Sequence, residues 1–236
     1  MASNGSTSVS VTSYDTLKFT WTQVSQSTAN NYTVINWSLQ LVSGSSGQII
    51  SSAAKSWSVT VNGNTYSGTN SVAIGNNATV TLASGQTTIY HNADGSKSFN
   101  YSFSQEFSIT FAGASIGTKS GSGTGALNTI PRATTPTLSV TSADMGTTII
   151  ISTPRASSAF THDLAYSFAG GGYVAIATGV ATSTTLSIPL SLASSIPNTT
   201  SGTVTIRCIT KNGSATVGTT RKQSLSHHAT AFDQPI

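Results

Sequence analysis

The sequence predicts an all-β protein with two β-sandwich domains in tandem, of the immunoglobulin-like or jelly-roll-like type, and one short helix in the second domain. Apolar residues alternate with polar ones over much of the chain, which is the period of a strand with one buried face. Serine and threonine make up 80 of the 236 residues. Charged residues make up 7%, against about 25% in an ordinary domain. This composition excludes helical bundles and coiled coils, which need Ala, Glu, Lys and Leu in quantity.

Five alternating runs predict the main strands of the first domain. In each run the apolar side chains fall on one face and Ser or Thr on the other, as in antiparallel sheets with one dry side. The runs are Leu17, Phe19 and Trp21; Ile35, Trp37, Leu39 and Leu41; Trp57, Val59 and Val61; Phe99, Tyr101 and Phe103; and Phe107, Ile109 and Phe111.

Short segments rich in Asn and Gly predict the turns, because both residues accept positive φ angles. Pro189 and Pro197 bracket the predicted helix, since proline suits the first turn of a helix and stops its far end. We expect this helix to cross from one sheet to the other. The turn segments are 62–64, 92–95, 170–172 and 211–213.

A domain boundary is indicated near residue 132. Two prolines within six residues, Pro131 and Pro136, predict a stiff extended joint. The domains are therefore expected to be residues 1–132 and 133–236, with an atypical tail from about residue 221 that lacks strand alternation after Leu225. The glycine-rich segment 117–125 is interpreted as an edge strand with glycine bulges rather than a linker.

No set of residues predicts catalysis, a cofactor or a metal site. Asp94 and Glu106 are the one conceivable pair of glycosidase carboxylates within a domain, but they suit a turn and a solvated strand end better. Residues 92–96 lack the closing Glu of a calcium loop and are interpreted as a turn. Cys208 alternates with Val204 and Ile206, which predicts a buried, unreactive thiol. We expect no enzymatic activity.

Aromatic residues are the remaining candidates for ligand binding, because sugars stack on aromatic rings. Trp21, Trp37 and Trp57 share faces with apolar residues and are interpreted as core. Tyr66, Tyr90 and Tyr173 are expected in or beside loops, where they are the candidate surface contacts.

Charge and hydropathy predict neither a nucleic-acid partner nor a membrane span. The net charge of +4 is spread along the chain, without the basic cluster that marks a nucleic-acid footprint. There is no apolar run of about 18 residues. Residues 1–8 show neither the basic region nor the apolar run of a signal peptide, so no signal peptide is predicted there.

Several motifs resemble a known family, and the likeness covers most of residues 14–215. The chain is similar to the minor structural proteins of siphoviruses, tailed bacteriophages, that infect Gram-positive hosts, a family of unknown function. The motifs are 91–97 with the aromatic alternation that follows to Phe111, and then 130–132, 160–162, 164–168, 188–189, 196–202 and 204–208.

This resemblance implies a virion component of the tail or tail tip, made in the host cytoplasm. It implies other tail proteins as partners, a host cell-wall glycan as a possible ligand, and a homo-oligomer, with a trimer favoured as in tail fibres. The alternative is a stand-alone carbohydrate-binding module or adhesin domain without catalysis.

Overall fold

The computed structural model describes residues 3–217 and 221–228 and is 59% strand and 3% helix. The chain divides into two compact units. The first comprises the described residues up to Ser27 together with Asn31–Ile130, and the second comprises Thr28–Asn30 and the described residues from Pro131 onward. The prediction of an all-β fold built from β-sandwiches is confirmed. No helix in the described ranges has the length and apolarity that a membrane span requires.

Two four-stranded antiparallel sheets form the first unit. One sheet has the order β1-β2-β3-β6 and the other β10-β7-β4-β5, while β8 and β9 form a small hairpin. The strands are β1 (Asn4–Ser10), β2 (Asp15–Ser27), β3 (Tyr32–Ser43), β4 (Lys55–Val61), β5 (Asn64–Asn70), β6 (Thr79–Tyr90), β7 (Ser98–Gln105), β8 (Ile109–Phe111), β9 (Ala114–Ile116) and β10 (Lys119–Ala126).

The core of the first unit lies between these two sheets and is dominated by aromatic rings. Phe19 of β2 stacks on Tyr101 of β7 with ring centroids 4.7 Å apart, and on Phe103 at 5.6 Å. Trp21 and Trp37 are buried as expected. Trp57 is only partly buried and packs against the residues of this core. The alternation of the sequence therefore identifies the buried faces of both sheets.

Three glycines of β10 lie opposite aromatic residues of β7. The antiparallel register between these strands is continuous, so the expected edge strand is present but the expected glycine bulges are wrong. A Cβ atom on any of the three would come within 2.6 Å of the facing aromatic side chain. The glycines leave room for rings that lie flat over the neighbouring backbone. The pairs are Gly121 with Phe103, Gly123 with Tyr101, and Gly125 with Phe99.

The second unit has a three-stranded and a six-stranded sheet. The first has the order β11-β13-β16 and the second β12-β19-β17-β14-β15, with β18 also pairing with β17. All pairings are antiparallel except β12 with β19. The strands are β11 (Thr137–Leu138), β12 (Ser142–Asp144), β13 (Thr148–Ser152), β14 (Phe160–Phe168), β15 (Val174–Val180), β16 (Ser183–Ser187), β17 (Ser201–Asn212), β18 (Ala215–Thr216) and β19 (Arg221–His228).

The predicted helix is present as a 3₁₀ helix over Leu190–Ser195, with Pro189 at its N-cap. It connects β16 of one sheet to β17 of the other, as expected. Ala193 points into the core of this unit, which both sheets line. Cys208 is fully buried there, which confirms its interpretation as a small core residue.

Two further local expectations differ from the structure. The run from Phe107 to Phe111 is a strand only from Ile109, because Ser108 has a left-handed backbone with φ of 46°. The tail is strand through His228, since β19 pairs with β17 through backbone hydrogen bonds that need no apolar alternation. Residues 229–236 of that tail lie outside the described residues.

Candidate functional site

Tyr66 lies in strand β5 and not in a loop, which corrects the expectation from sequence. Its ring packs against Trp37 with centroids 5.0 Å apart. Its hydroxyl lies 2.9 Å from Thr87 Oγ1 and donates to the Gln86 carbonyl at 3.4 Å. Tyr66 is thus held between the edges of the two sheets, where its hydroxyl satisfies polar groups of β6.

Tyr90 ends strand β6 beside the predicted turn and is 65% exposed. Its register partner on β3 is Tyr32, and the two rings form a T-shaped pair with centroids 5.7 Å apart. Edge-to-face contact fixes the orientation of both rings. This pair therefore presents aromatic surface to solvent at one end of the first sheet.

The tyrosine pair continues into a polar sheet surface, here called the outer face. Even-numbered residues of β6 from Ser84 to Tyr90 point away from the core. Gln86 Nε2 donates to Asn36 Oδ1 at 3.0 Å, and beyond them Ser38 pairs with Ser84. A shallow cavity of about 560 Å³ opens on this surface. Its polar lining residues are Thr20, Thr22, Asn36, Ser38, Ser84 and Gln86.

The outer face is uncharged from Tyr90 to Ser84, a distance of about 20 Å along the strand. Hydroxyl and amide groups both donate and accept hydrogen bonds, whereas the adjacent tyrosine rings offer apolar faces. Concave sites with an aromatic surface and a few convergent polar groups are typical of small-molecule recognition. Chemically, this surface suits a neutral, hydroxyl-rich ligand.

The loop after Tyr90 is fixed by hydrogen bonds. His91 is buried; its Nδ1 lies 2.8 Å from the Gly95 carbonyl and its Nε2 lies 2.7 Å from Thr33 Oγ1. Because a carbonyl only accepts, Nδ1 carries a proton. Asp94 Oδ1 accepts from the Ser96 hydroxyl at 2.7 Å and from its backbone N–H at 2.9 Å. These two bonds hold the pKa of Asp94 below its usual range.

The geometry separates the only candidate carboxylate pair of the first unit. Asp94 lies in the loop before β7 and Glu106 follows its far end. Eight residues of strand span roughly 27 Å, whereas glycosidase carboxylates lie about 5–9.5 Å apart. Asp94 instead bonds within its own turn, and Glu106 accepts hydrogen bonds from the hydroxyls of Ser56 on β4 and of Ser108. Among residues 3–217 and 221–228, no group of three or more His, Cys, Asp or Glu could hold a metal ion.

Tyr173 belongs to the second unit and lies in the loop before β15, as expected. It is 37% exposed, and the guanidinium carbon of Arg207 on β17 lies 4.1 Å from its ring centroid. Each of the three tyrosines thus has surroundings of its own. Tyr66 is part of the packing, Tyr90 has Tyr32 beside it, and Tyr173 has Arg207.

A buried polar cluster in the second unit joins β14 to β17. His162 Nδ1 lies 3.1 Å from Thr210 Oγ1 and 3.5 Å from Cys208 Sγ. Burial lowers the pKa of His162 and raises the pKa of the Cys208 thiol. Both groups are consequently neutral near pH 7. An activated cysteine is instead a thiolate stabilised by a nearby positive charge, which this pair does not supply.

Sequence reasoning missed the partners of the exposed tyrosines. Tyr32 lies three residues before Ile35, where the alternating run of β3 begins, and extending the alternation back to it would have placed it on the outer face with Asn36. Gln86 follows from the same period on β6. Arg207 gave no local signal, because its contact joins a residue of β17 to Tyr173, which lies in the loop before β15.

Comparison with known proteins identifies one family. Residues 8–232 match the family described as siphovirus protein of unknown function (DUF859). No curated protein matches the chain.

Two solved structures show a distant likeness. The FN1–FN3 domains of chicken CNTN1 give a TM-score of 0.30 at 11% identity, covering 87% of this chain and 66% of that one. A beta-1,2-glucanase from Parabacteroides distasonis gives 0.27 at 8% identity, covering 100% of this chain and 36% of that one. The chain thus spans less than two thirds of either structure.

The family match extends over both compact units, and the motifs from His91 to Cys208 that carry the resemblance in the sequence all fall inside it. The chain therefore belongs to this siphovirus family of unknown function.

Proposed function

We propose that this protein is a structural component of the siphovirus virion, located in the tail or tail tip, and that it contributes to recognition of a neutral glycan on the host surface. Membership of a siphovirus family supports the phage setting. The observation that carries the binding role is the exposed Tyr90–Tyr32 pair at the end of an uncharged polar sheet face.

The chemistry of the outer face supports a sugar polymer as its ligand. A sugar ring has an apolar face that stacks on an aromatic ring, and hydroxyls that exchange hydrogen bonds with side-chain amides and hydroxyls. Tyr90 supplies the stacking surface, and Asn36 with Gln86 supplies amide donors and acceptors further along the strand. The fixed loop from His91 to Ser96 limits the entropy lost on binding.

The test is binding of the labelled full chain to a panel of Gram-positive cells and to their extracted wall polysaccharides. We expect saturable binding that the free neutral polysaccharide competes. Tyr90→Ala is expected to weaken it by about tenfold, the effect of losing one central aromatic contact. Tyr90→Phe keeps the ring and is expected to stay within about twofold of the unsubstituted protein.

Tyr14→Ala is the matched control. Tyr14 is also exposed, at 48%, but it lies in the turn between β1 and β2 and contacts Phe111, away from the outer face. Its removal is expected to leave binding unchanged. Absence of binding to every cell and polysaccharide, or equal affinity of Tyr90→Ala and Tyr14→Ala, would overturn the proposed glycan site.

A further inference from the structure

A second exposed aromatic site lies on the six-stranded sheet of the second unit. The Arg207 guanidinium lies over the ring of Tyr173, 4.1 Å from its centroid. A guanidinium stacked in this way is attracted by the ring and keeps its N–H donors directed outward in their own plane. The stacking therefore orients a cationic group at a partly exposed position.

The loop that carries Tyr173 is built to hold it there. Ala169 and Gly170 have φ angles of 48° and 79°, which form the tight turn after β14. The Gly171 N–H donates to the Phe168 carbonyl at 2.8 Å, and the Ser167 hydroxyl donates to the Gly171 carbonyl at 2.6 Å. The turn is thus fixed to the end of β14 by two hydrogen bonds before the chain reaches Tyr173.

The charge of Arg207 is not balanced within the described residues. The nearest carboxylate along the paired strand β14 is that of Asp163, which lies opposite Ile209. Its Oδ2 is 2.8 Å from Lys211 Nζ, in the one ion pair of the described ranges. Nε of Arg207 is buried without a hydrogen-bond acceptor. The residue paired with Arg207 on β19 is Lys222, so that position supplies no carboxylate to balance the guanidinium.

We propose that Arg207 and Tyr173 form a binding site for the anionic group, a phosphate or a carboxylate, of a charged polysaccharide. The guanidinium offers paired donors that match either group bidentately. The tyrosine ring supports the guanidinium and leaves exposed aromatic surface for the adjoining sugar. This site belongs to the second unit and shares no residue with the neutral surface at Tyr90. Its biological role rests on the proposed glycan recognition, whereas its affinity for an anionic polymer can be measured independently.

The experiment is calorimetric titration of the full chain, at low ionic strength, with inorganic polyphosphate and with polygalacturonate, and with dextran as the uncharged polymer. These probes separate phosphate from carboxylate as the recognised group. We expect saturable binding to one charged polymer and none to dextran at this site. Arg207→Gln is expected to weaken binding by about tenfold or more, as for loss of one charge-assisted bidentate contact.

Lys18→Gln is the matched control, because it removes one positive charge from a different sheet and is expected to change affinity by less than about twofold. Arg207→Lys keeps the charge without the planar fork and is expected to fall between the unsubstituted protein and Arg207→Gln. It also guards against a folding defect in the glutamine variant.

Equal weakening by Arg207→Gln and Lys18→Gln would show attraction by net charge only and overturn the proposal. Failure of both charged polymers to bind would overturn it as well. A loss confined to Arg207 variants, with cell binding through Tyr90 absent, would sustain this site and reject the proposed neutral-glycan role.

Discussion

His162 is a buried histidine, 1% exposed, with one ring nitrogen near Thr210 and the other without a partner. Burial, and then the positive charge of Arg155, lower its pKa in the folded state, while Asp163 opposes them. In the unfolded chain a histidine titrates near 6.5. The unfolded state therefore binds more protons than the folded state as the pH falls below that value.

We expect the free energy of unfolding of the second unit to decrease as the pH falls from 7 toward the folded-state pKa of His162. His162→Gln cannot titrate, so its disadvantage relative to the unsubstituted protein is expected to shrink over the same interval. Chemical denaturation at a series of pH values from 7 to 5 measures both slopes. Asp163 does not interfere, because Lys211 lowers its pKa and its stabilising effect is lost only at more acidic pH.

Thr210→Val is the control for this measurement. It removes the hydrogen-bonding neighbour of His162 but leaves the titrating ring in place. Its stability is expected to be lower at every pH with the slope unchanged. Parallel slopes for His162→Gln and the unsubstituted protein would contradict the assignment.

Single residues could be located from sequence only where local chemistry decides their place. Tyr90 was found because a strand end next to an Asn- and Gly-rich turn is exposed. Tyr66 was placed wrongly, since its neighbours are polar and only the edge contact with Trp37 shows its role. Arg207 and Tyr173 are brought together by a turn and a sheet register that no short segment encodes.

At the scale of elements, β10 depends on glycine at alternate positions. Gly125 faces two buried rings, with its missing Cβ 2.6 Å from Phe99 and 2.8 Å from Trp21. Overpacking at such a position costs about 1–3 kcal/mol. We therefore expect Gly125→Ala to lower the free energy of unfolding of the first unit by that amount, measured by urea denaturation.

Gly117→Ala is the comparison, since it lies in the same glycine-rich segment. A Cβ there would meet nothing within 4 Å, and the backbone has no positive φ. This change is expected to be neutral or to stabilise by up to about 1 kcal/mol, through the unfolded state. A similar loss from both substitutions would show that backbone flexibility, and not ring clearance, explains the glycines.

Strands were predictable where one face is apolar and less so at sheet edges. β2, β3, β4 and β7 follow from alternation, because burial of one face imposes it. β5 has almost no apolar residues and owes its strand form to the turn at Asn62 and Gly63, whose φ angles of 49° and 82° bring it back along β4. The glycines of β10 suggested bulges, but the partner rings that explain them lie on β7.

At the scale of the whole molecule, the low charge bears on assembly. Each sheet ends in strands whose outer backbone groups are unpaired by sheet hydrogen bonds in the described ranges, and edges of this kind invite association. The fold offers few charged side chains to oppose it. We propose that copies of the chain associate, with a trimer favoured from the resemblance to tail proteins.

Sedimentation of the purified chain tests this proposal. A trimer would sediment with three times the 24.1 kDa mass of one chain, and dilution would not dissociate it within a working concentration range. A monomer at all concentrations would reject self-association and leave docking to other tail proteins as the way in which the edges are covered.

The alternating glycines of β10 also limit which strands can pair with β7 in its place. The groove beside β7 is already occupied by Phe99, Tyr101 and Phe103, so an incoming strand fits only with hydrogen in place of a side chain at three alternate positions. Strands of unrelated proteins, with larger residues there, would collide with the rings. In a crowded assembly, β7 can therefore pair at this edge with β10 or with the same strand of an identical copy, but not with strands that carry larger residues at these positions.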